Sequence, residues 1–149
     1  MSVEVRLITI DPTPPAVVAA TTTWPEFRSL WRPMLDKVWA FLRVGPEGVR
    51  KDGHNVMLYK DDRPDVEVGV QVGGSFVAAG DVKPSELPGG LVATATHVGS
   101  IGRIGETHDA VVAWCAANGH RISRVRWEVY GDPDASGEYS VDVYWAVAE

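Results

Sequence analysis

The segment at residues 123–130 carries the side chains with the clearest chemical potential in the chain. Its polarity alternates as in a strand, where successive side chains point to opposite faces. Glu128 and Tyr130 therefore share one face with Arg124 and Arg126. The other face is apolar and consists of Val125, Trp127 and Val129. We expect the apolar face to meet the helices, so that Glu128 and Tyr130 face a cavity.

Glu128 has two chemical uses in such a place. A carboxylate among aromatic rings is costly to keep ionised, so it either takes up a proton or is neutralised by a cation. Glu128 could anchor a cationic ligand, or it could act as a general acid or base while Tyr130 or Tyr59 polarises a leaving group. The competing interpretation is a surface glutamate, or one paired with Arg126 on the same face.

Aromatic side chains are the predicted walls of the cavity. The chain has six tryptophans, and rings of this kind offer stacking and cation–π surfaces. Trp39 lies beside the main apolar stripe of the first predicted helix, whereas Trp31, Trp127 and Trp145 lie on stripes that indicate core packing. The ligand-binding candidates besides Glu128 and Tyr130 are Trp24, Phe27, Trp39, Met57, Tyr59 and Tyr144. Met57, Tyr59 and Tyr144 could equally be partly exposed residues of a sheet.

The first helix has a well-defined start. Residues 23–26 place a threonine cap, a proline in the first turn and a glutamate three residues after the cap, which is the capping-box pattern. Apolar residues then recur at helical spacing from Phe27 to Leu42. Pro33 interrupts this stripe, so we expect a kink, or two helical pieces that meet there.

The order of elements predicts one α+β domain over residues 1–149. Strands are predicted at residues 3–10, 16–22, 55–60, 66–72, 91–98, 122–130 and 139–147, and a second helix at about 100–118. Both halves, at about 1–74 and 91–149, read strand, helix, strand, strand, which indicates two pseudo-symmetric β-α-β-β repeats. Such a fold is an antiparallel sheet with two helices on one face. The ligand cleft is then expected on the opposite face, or between the halves.

Composition narrows the class of protein. A net charge of −6 and a pI near 5.2 would repel phosphate backbones, so we expect no direct contact with nucleic acid. The single cysteine, Cys115, lies in an apolar run and is typical of a core residue in a reducing cytoplasm. No apolar run is long enough to span a membrane. The four histidines lack the spacing of a metal motif, and we expect neither metal nor cofactor.

Several short motifs, taken in order, resemble the GyrI-like effector-binding domain. They are Leu87-Pro88-Gly89-Gly90, His97-Val98-Gly99, Ala113-Trp114-Cys115 and Trp127-Glu128-Val129-Tyr130 followed by Asp132-Pro133. This family occurs alone and as the ligand-sensing domain of MerR-type and AraC-type regulators. The resemblance covers nearly the whole chain.

The resemblance implies binding of hydrophobic, often cationic, aromatic compounds over a glutamate from the penultimate strand, which matches Glu128 here. It also implies two other roles found among stand-alone relatives: hydrolysis of cyclopropane-bearing alkylating natural products, and protection of gyrase. This chain departs from the family pattern at Ile101, where relatives usually have a tyrosine. The resulting expectation is a small-molecule binding protein, a monomer or a homodimer, with a hydrolase that uses Glu128 as the alternative.

Overall fold

The computed structural model of the protein describes residues 3–45, 48–132, 135–136 and 140–148. These described residues form eight strands and two α-helices. In chain order the elements are β1 (Arg6–Ile10), β2 (Pro15–Thr21), α1 (Trp24–Arg43), β3 (Val49–Tyr59), β4 (Asp65–Gly74), β5 (Lys83–Pro84), β6 (Gly90–Val98), α2 (Ile104–Ala117), β7 (Ile122–Tyr130) and β8 (Ser140–Val147). The α+β class is as predicted, and β3 begins earlier than expected. Tyr139, the predicted start of the last strand, lies outside the described residues.

All strands form one antiparallel sheet with the order β1-β6-β8-β7-β3-β4-β2-β5. The order strand, helix, strand, strand occurs twice along the chain, and the two copies meet where β3 pairs with β7. A pseudo-twofold relation between them stays a prediction. β1 was assigned to the first half by its sequence position, yet it pairs with β6 of the second. The N-terminal strand therefore extends the far edge of the sheet.

Helix α1 follows from its cap and its apolar stripe. The Thr23 hydroxyl accepts a hydrogen bond from the Glu26 amide at 3.3 Å, and proline stands in the first turn as predicted. Phe27, Met34, Leu35, Val38 and Leu42 form the buried face. Pro33 lies inside a single continuous helix, so the alternative of two separate pieces is wrong. Because the Pro33 side is exposed, the proline leaves the buried face intact.

The two faces of the sheet are both apolar. On one face α1 packs against β2 and β4, and α2 packs against β6 and β8. On the other face Trp127 is 1% exposed, stacks on Tyr144 and is covered by Leu87 with Ile8 and Ile10. The expectation that the Trp127 face meets the helices is therefore wrong, and Glu128 faces them instead. Alternation shows which residues share a face, but it cannot tell two apolar faces apart.

A histidine anchors the loop that leads into α2. The His97 ring contacts the Thr107 hydroxyl and the Ser100 carbonyl oxygen, each at 2.8 Å, and it is 6% exposed. A 3₁₀ turn (Ile101–Arg103) follows, and α2 ends before Gly119, whose φ of +76° provides a left-handed stop. These contacts place the start of α2 beside the centre of the sheet.

Candidate ligand-binding site

A cavity of about 780 Å³ lies between α1, the start of α2 and the central strands β3 and β7. It forms because α1 covers β2 and β4 while α2 covers β6 and β8. The central strands are left as the floor of a cleft between the two helices. The cleft is thus on the same face of the sheet as the helices. The expectation that it lies on the opposite face is wrong, and the alternative, a cleft between the two halves, agrees with the structure. Its volume is within the range of small-molecule sites.

Most of the predicted site residues meet in this cavity. Glu128 and Tyr130 from β7 lie on its floor, and the other predicted residues that line it are Phe27, Trp39, Met57 and Tyr59. Two predictions are corrected. Tyr144 lies on the opposite face of the sheet, where its ring stacks on Trp127 at 5.4 Å. Trp24 lies behind Tyr59, at 5.3 Å between ring centroids, and is absent from the lining.

Glu128 is buried and hydrogen-bonded to three side chains. It is 3% exposed. Its Oε1 accepts from the hydroxyls of Tyr59 at 3.1 Å and Tyr130 at 2.5 Å, and its Oε2 lies 2.7 Å from His108 Nε2. Burial, and then the Glu128 charge, raise the pKa of both tyrosines well above the ordinary value. Both hydroxyls therefore remain protonated donors to the carboxylate.

Arg126 does not neutralise Glu128. Its Nη1 donates to Asp62 Oδ1 at 2.8 Å. Its guanidinium also lies over three rings, those of Trp24 at 5.5 Å, Tyr59 at 5.8 Å and Trp145 at 5.1 Å. Among the residues that the structure describes, no lysine or arginine is within ion-pair distance of Glu128. The competing interpretations, a surface glutamate or an Arg126–Glu128 pair, are both wrong.

His108, a partner of Glu128, was not among the predicted site residues. It lies on the apolar face of α2, and its ring also contacts Trp145, whose Nε1 lies 3.0 Å from His108 Nδ1. A polar side chain on an otherwise apolar helical face was the available signal. Trp39, in contrast, was expected, and its indole N–H donates to Asn55 Oδ1 at 2.9 Å, which orients the ring.

Helix α1 contributes more to the cavity than predicted. Arg28, Trp31, Arg32, Leu35 and Asp36 line it together with Trp39. The spacing of three and four residues between them places these side chains on one helical stripe. The charged members are exposed, so they lie at the mouth and the aromatic members lie deeper. Ile101, where relatives usually have tyrosine, also lines the cavity with Ile104.

The described residues contain neither a metal cluster nor a spanning helix. Within the described ranges, no group of three His, Cys, Asp or Glu side chains could hold a metal ion. The helices of the described chain are also too short or too polar to cross a membrane.

The fold and the cavity define a mixed α+β domain of the small-molecule-binding type. The model of the GyrI-like small molecule binding domain matches residues 3–148. The chain therefore belongs to the GyrI-like family. A search of curated protein sequences finds no match.

Solved structures share this fold at low sequence identity. The EcmrR C-terminal domain is 17% identical with a TM-score of 0.82, over 100% of this chain and 99% of that one. SAV2435 bound to tetraphenylphosphonium is 12% identical with a TM-score of 0.66, over 99% and 94%. A hydrolase encoded by lin2189 from Listeria innocua is 12% identical with a TM-score of 0.62, over 97% and 92%. At these identities the likeness establishes the fold.

Proposed function

We propose that this domain binds hydrophobic aromatic cations in the cavity, for sensing or sequestration of such compounds, with Glu128 as the anionic anchor. The observation that carries the proposal is the buried Glu128 on the cavity floor, which makes no ion pair with a lysine or arginine among the described residues. Tyr59 and Tyr130 are neutral donors, and Arg126 is paired with Asp62. A cation that enters the cavity would supply the missing positive charge.

The walls of the cavity suit the same class of ligand. Phe27, Trp31, Trp39 and Tyr59 present aromatic surface from α1 and β3. Aromatic faces attract cations and bury the apolar groups of a delocalised one. The solved relative bound to tetraphenylphosphonium, SAV2435, supports this choice of ligand class.

Hydrolysis of cyclopropane-bearing aromatic compounds is the second candidate. A structural relative is described as a hydrolase, and here a carboxylate lies beside two protonated tyrosines. Glu128 and Tyr130 would then be the catalytic pair. Binding is favoured because three donors already occupy the carboxylate oxygens, which offer about four acceptor positions in total. Little acceptor capacity is left to activate a water.

The net charge of −6 supports a role without direct nucleic-acid contact. Any effect on transcription would then require a DNA-binding partner or a further domain. A buried Cys115 with no disulfide is consistent with the cytoplasm as the site of action.

Isothermal titration calorimetry with recovery of the ligand tests the proposal. The wild-type protein is titrated with tetraphenylphosphonium and with neutral triphenylphosphine oxide, and a cyclopropane-bearing aromatic compound is incubated with it in parallel. We expect saturable binding that prefers the cation and an unchanged ligand mass in every case. A ligand mass increased by one water would instead establish the hydrolase, and equal affinity for the two phosphorus compounds would refute the cation anchor.

A further inference from the structure

The side chains of Trp145, His108 and Glu128 form a continuous hydrogen-bonded line. The Trp145 indole nitrogen lies 3.0 Å from His108 Nδ1, and His108 Nε2 lies 2.7 Å from Glu128 Oε2. An indole N–H can only donate, so Nδ1 must accept and carries no proton. The single imidazole proton then lies on Nε2 and is donated to Glu128.

We propose that Trp145 is a specificity-determining positioning residue, which holds His108 neutral so that the Glu128 charge stays available to a cationic ligand. The inference rests on the proposed function. A doubly protonated imidazole would direct its Nδ1–H at the indole N–H, two donors facing each other at 3.0 Å. Without the indole N–H, an imidazolium would pair with Glu128, cancel its charge and favour neutral ligands.

His108 is the histidine among the three side chains that hydrogen-bond to Glu128. The titratable or charged side chains of β3 and β7 near the cavity floor are Tyr59, Tyr130, Glu128 and Arg126. Those at the mouth of the cavity are Arg28, Arg32, Asp36, His54 and Asp132. On α2 itself the flanking charges are Glu106 and Asp109. His54 lines the cavity, and its partly exposed ring lies 3.5 Å from Asp132. Solvent screens the charges of His54 and Asp132 at the mouth, so they have little effect on the buried floor of the cavity.

The test compares wild type with Trp145→Phe between pH 8 and pH 5, the range in which histidines change charge. Phenylalanine keeps an aromatic ring at this position and removes the indole donor, together with one ring of the bicycle. Tetraphenylphosphonium does not titrate in this range, so its affinity reports the charge of the site. For wild type we expect the dissociation constant to change less than about threefold, whereas for Trp145→Phe it should rise at least about tenfold at the lower pH.

Two further variants test whether the pH dependence of phosphonium binding comes from Trp145 and His108. Glutamine can donate to Glu128 and accept from an indole but cannot take up a proton in this range. The double variant Trp145→Phe with His108→Gln should therefore lose the pH dependence. Trp114→Phe removes a tryptophan of α2 whose ring stacks on His120 outside the cavity, and its pH response should match wild type. A wild type that weakens as strongly as Trp145→Phe, or a Trp145→Phe that does not weaken, would overturn the proposal.

Nitrogen-15 spectra of the imidazole groups, recorded without ligand, separate this proposal from the proposed function. In wild type we expect the Nδ1 signal of His108 to keep the shift of an unprotonated nitrogen from pH 8 to pH 5, and in Trp145→Phe to titrate. A titrating wild-type signal would overturn the proposal whatever the protein binds. If the Nδ1 signal does not titrate and the protein binds no phosphonium, the result would support the His108 arrangement and reject the cation-binding function.

Discussion

Substitution of Glu128 by glutamine removes the charge at the floor of the cavity and preserves its hydrogen bonds. The new amide oxygen can accept from His108 Nε2, and the amide nitrogen can donate to the hydroxyl oxygens of Tyr59 and Tyr130. Those hydroxyls can then turn toward Met57 Sδ, which lies 3.5 Å from each. The variant therefore changes charge with little change of shape.

The expected loss of affinity follows from Coulomb's law. A cation seated about 5 Å from the Glu128 carboxylate, at an effective dielectric constant of about 20, gains about 3 kcal/mol. This amounts to roughly 150-fold in the dissociation constant. Water in the open mouth reduces the gain, so we expect tetraphenylphosphonium to bind roughly 20- to 150-fold more weakly to Glu128→Gln.

Calorimetric titration of wild type and Glu128→Gln with tetraphenylphosphonium and triphenylphosphine oxide measures this loss. The affinity of the neutral compound should change by less than about threefold, because apolar burial is the same in both proteins. Glu106→Gln is the matched control, since it removes one exposed carboxylate paired with Arg103 and alters the net charge equally. Its cation affinity should stay within about twofold of wild type.

Equal weakening of both compounds by Glu128→Gln would refute this reasoning, because it would show that the residue acts through shape instead of charge. Unchanged cation affinity would equally refute it. A loss in Glu106→Gln as large as that in Glu128→Gln would mean that the overall field of the protein, and not the buried carboxylate, attracts the cation.

Two further predictions concern the scaffold. Gly69→Ala would place a Cβ 1.8 Å from the Ala16 carbonyl oxygen, so we expect urea unfolding to show that the free energy of unfolding falls by at least about 2 kcal/mol. The control Gly105→Ala meets no atom within 4 Å, and it should be neutral or raise the free energy of unfolding by up to about 1 kcal/mol. Burial and the nearby carboxylate charge raise the pKa of Tyr59 and Tyr130. The contribution of these tyrosines to the free energy of unfolding is therefore present below about pH 10 and falls above it. Tyr130→Phe should leave the phenolate absorbance titration of the folded protein unchanged up to about pH 11.

Local sequence rules predicted both helices and most of the strands, but they missed β5 and the first part of β3. The Thr23 cap, the proline after it and the apolar spacing of α1 predicted a helix that begins where the structure has it. Val66, Val68, Val70 and Val72 share one buried face of the strand predicted at residues 66–72, but the prediction that only this side is buried is wrong, because Glu67 on the opposite face is 2% exposed. These signals depend on neighbours within a few residues along the chain, which is why they can be read without knowledge of the fold.

The candidate site was predictable in part. Glu128 and Tyr130 were found because a two-residue period puts them on one face of β7, and the motif resemblance selected Glu128 among the glutamates. Tyr144 was misplaced, because its strand has apolar residues on both sides and alternation alone does not show which side the helices cover.

By itself the sequence determined the class of elements, their order, the family and the carboxylate at the centre of the site. The tertiary structure alone decided that the helices flank the central strands, and therefore that the cleft opens on the helical face. It also decided that Glu128 meets Tyr59 from β3 and His108 from α2, and that Arg126 turns away to Asp62. These contacts join residues that are distant in the chain. They depend on which side of the sheet each helix packs against, and both sides are apolar. The packing side is determined by burial over the whole domain and not by any local pattern.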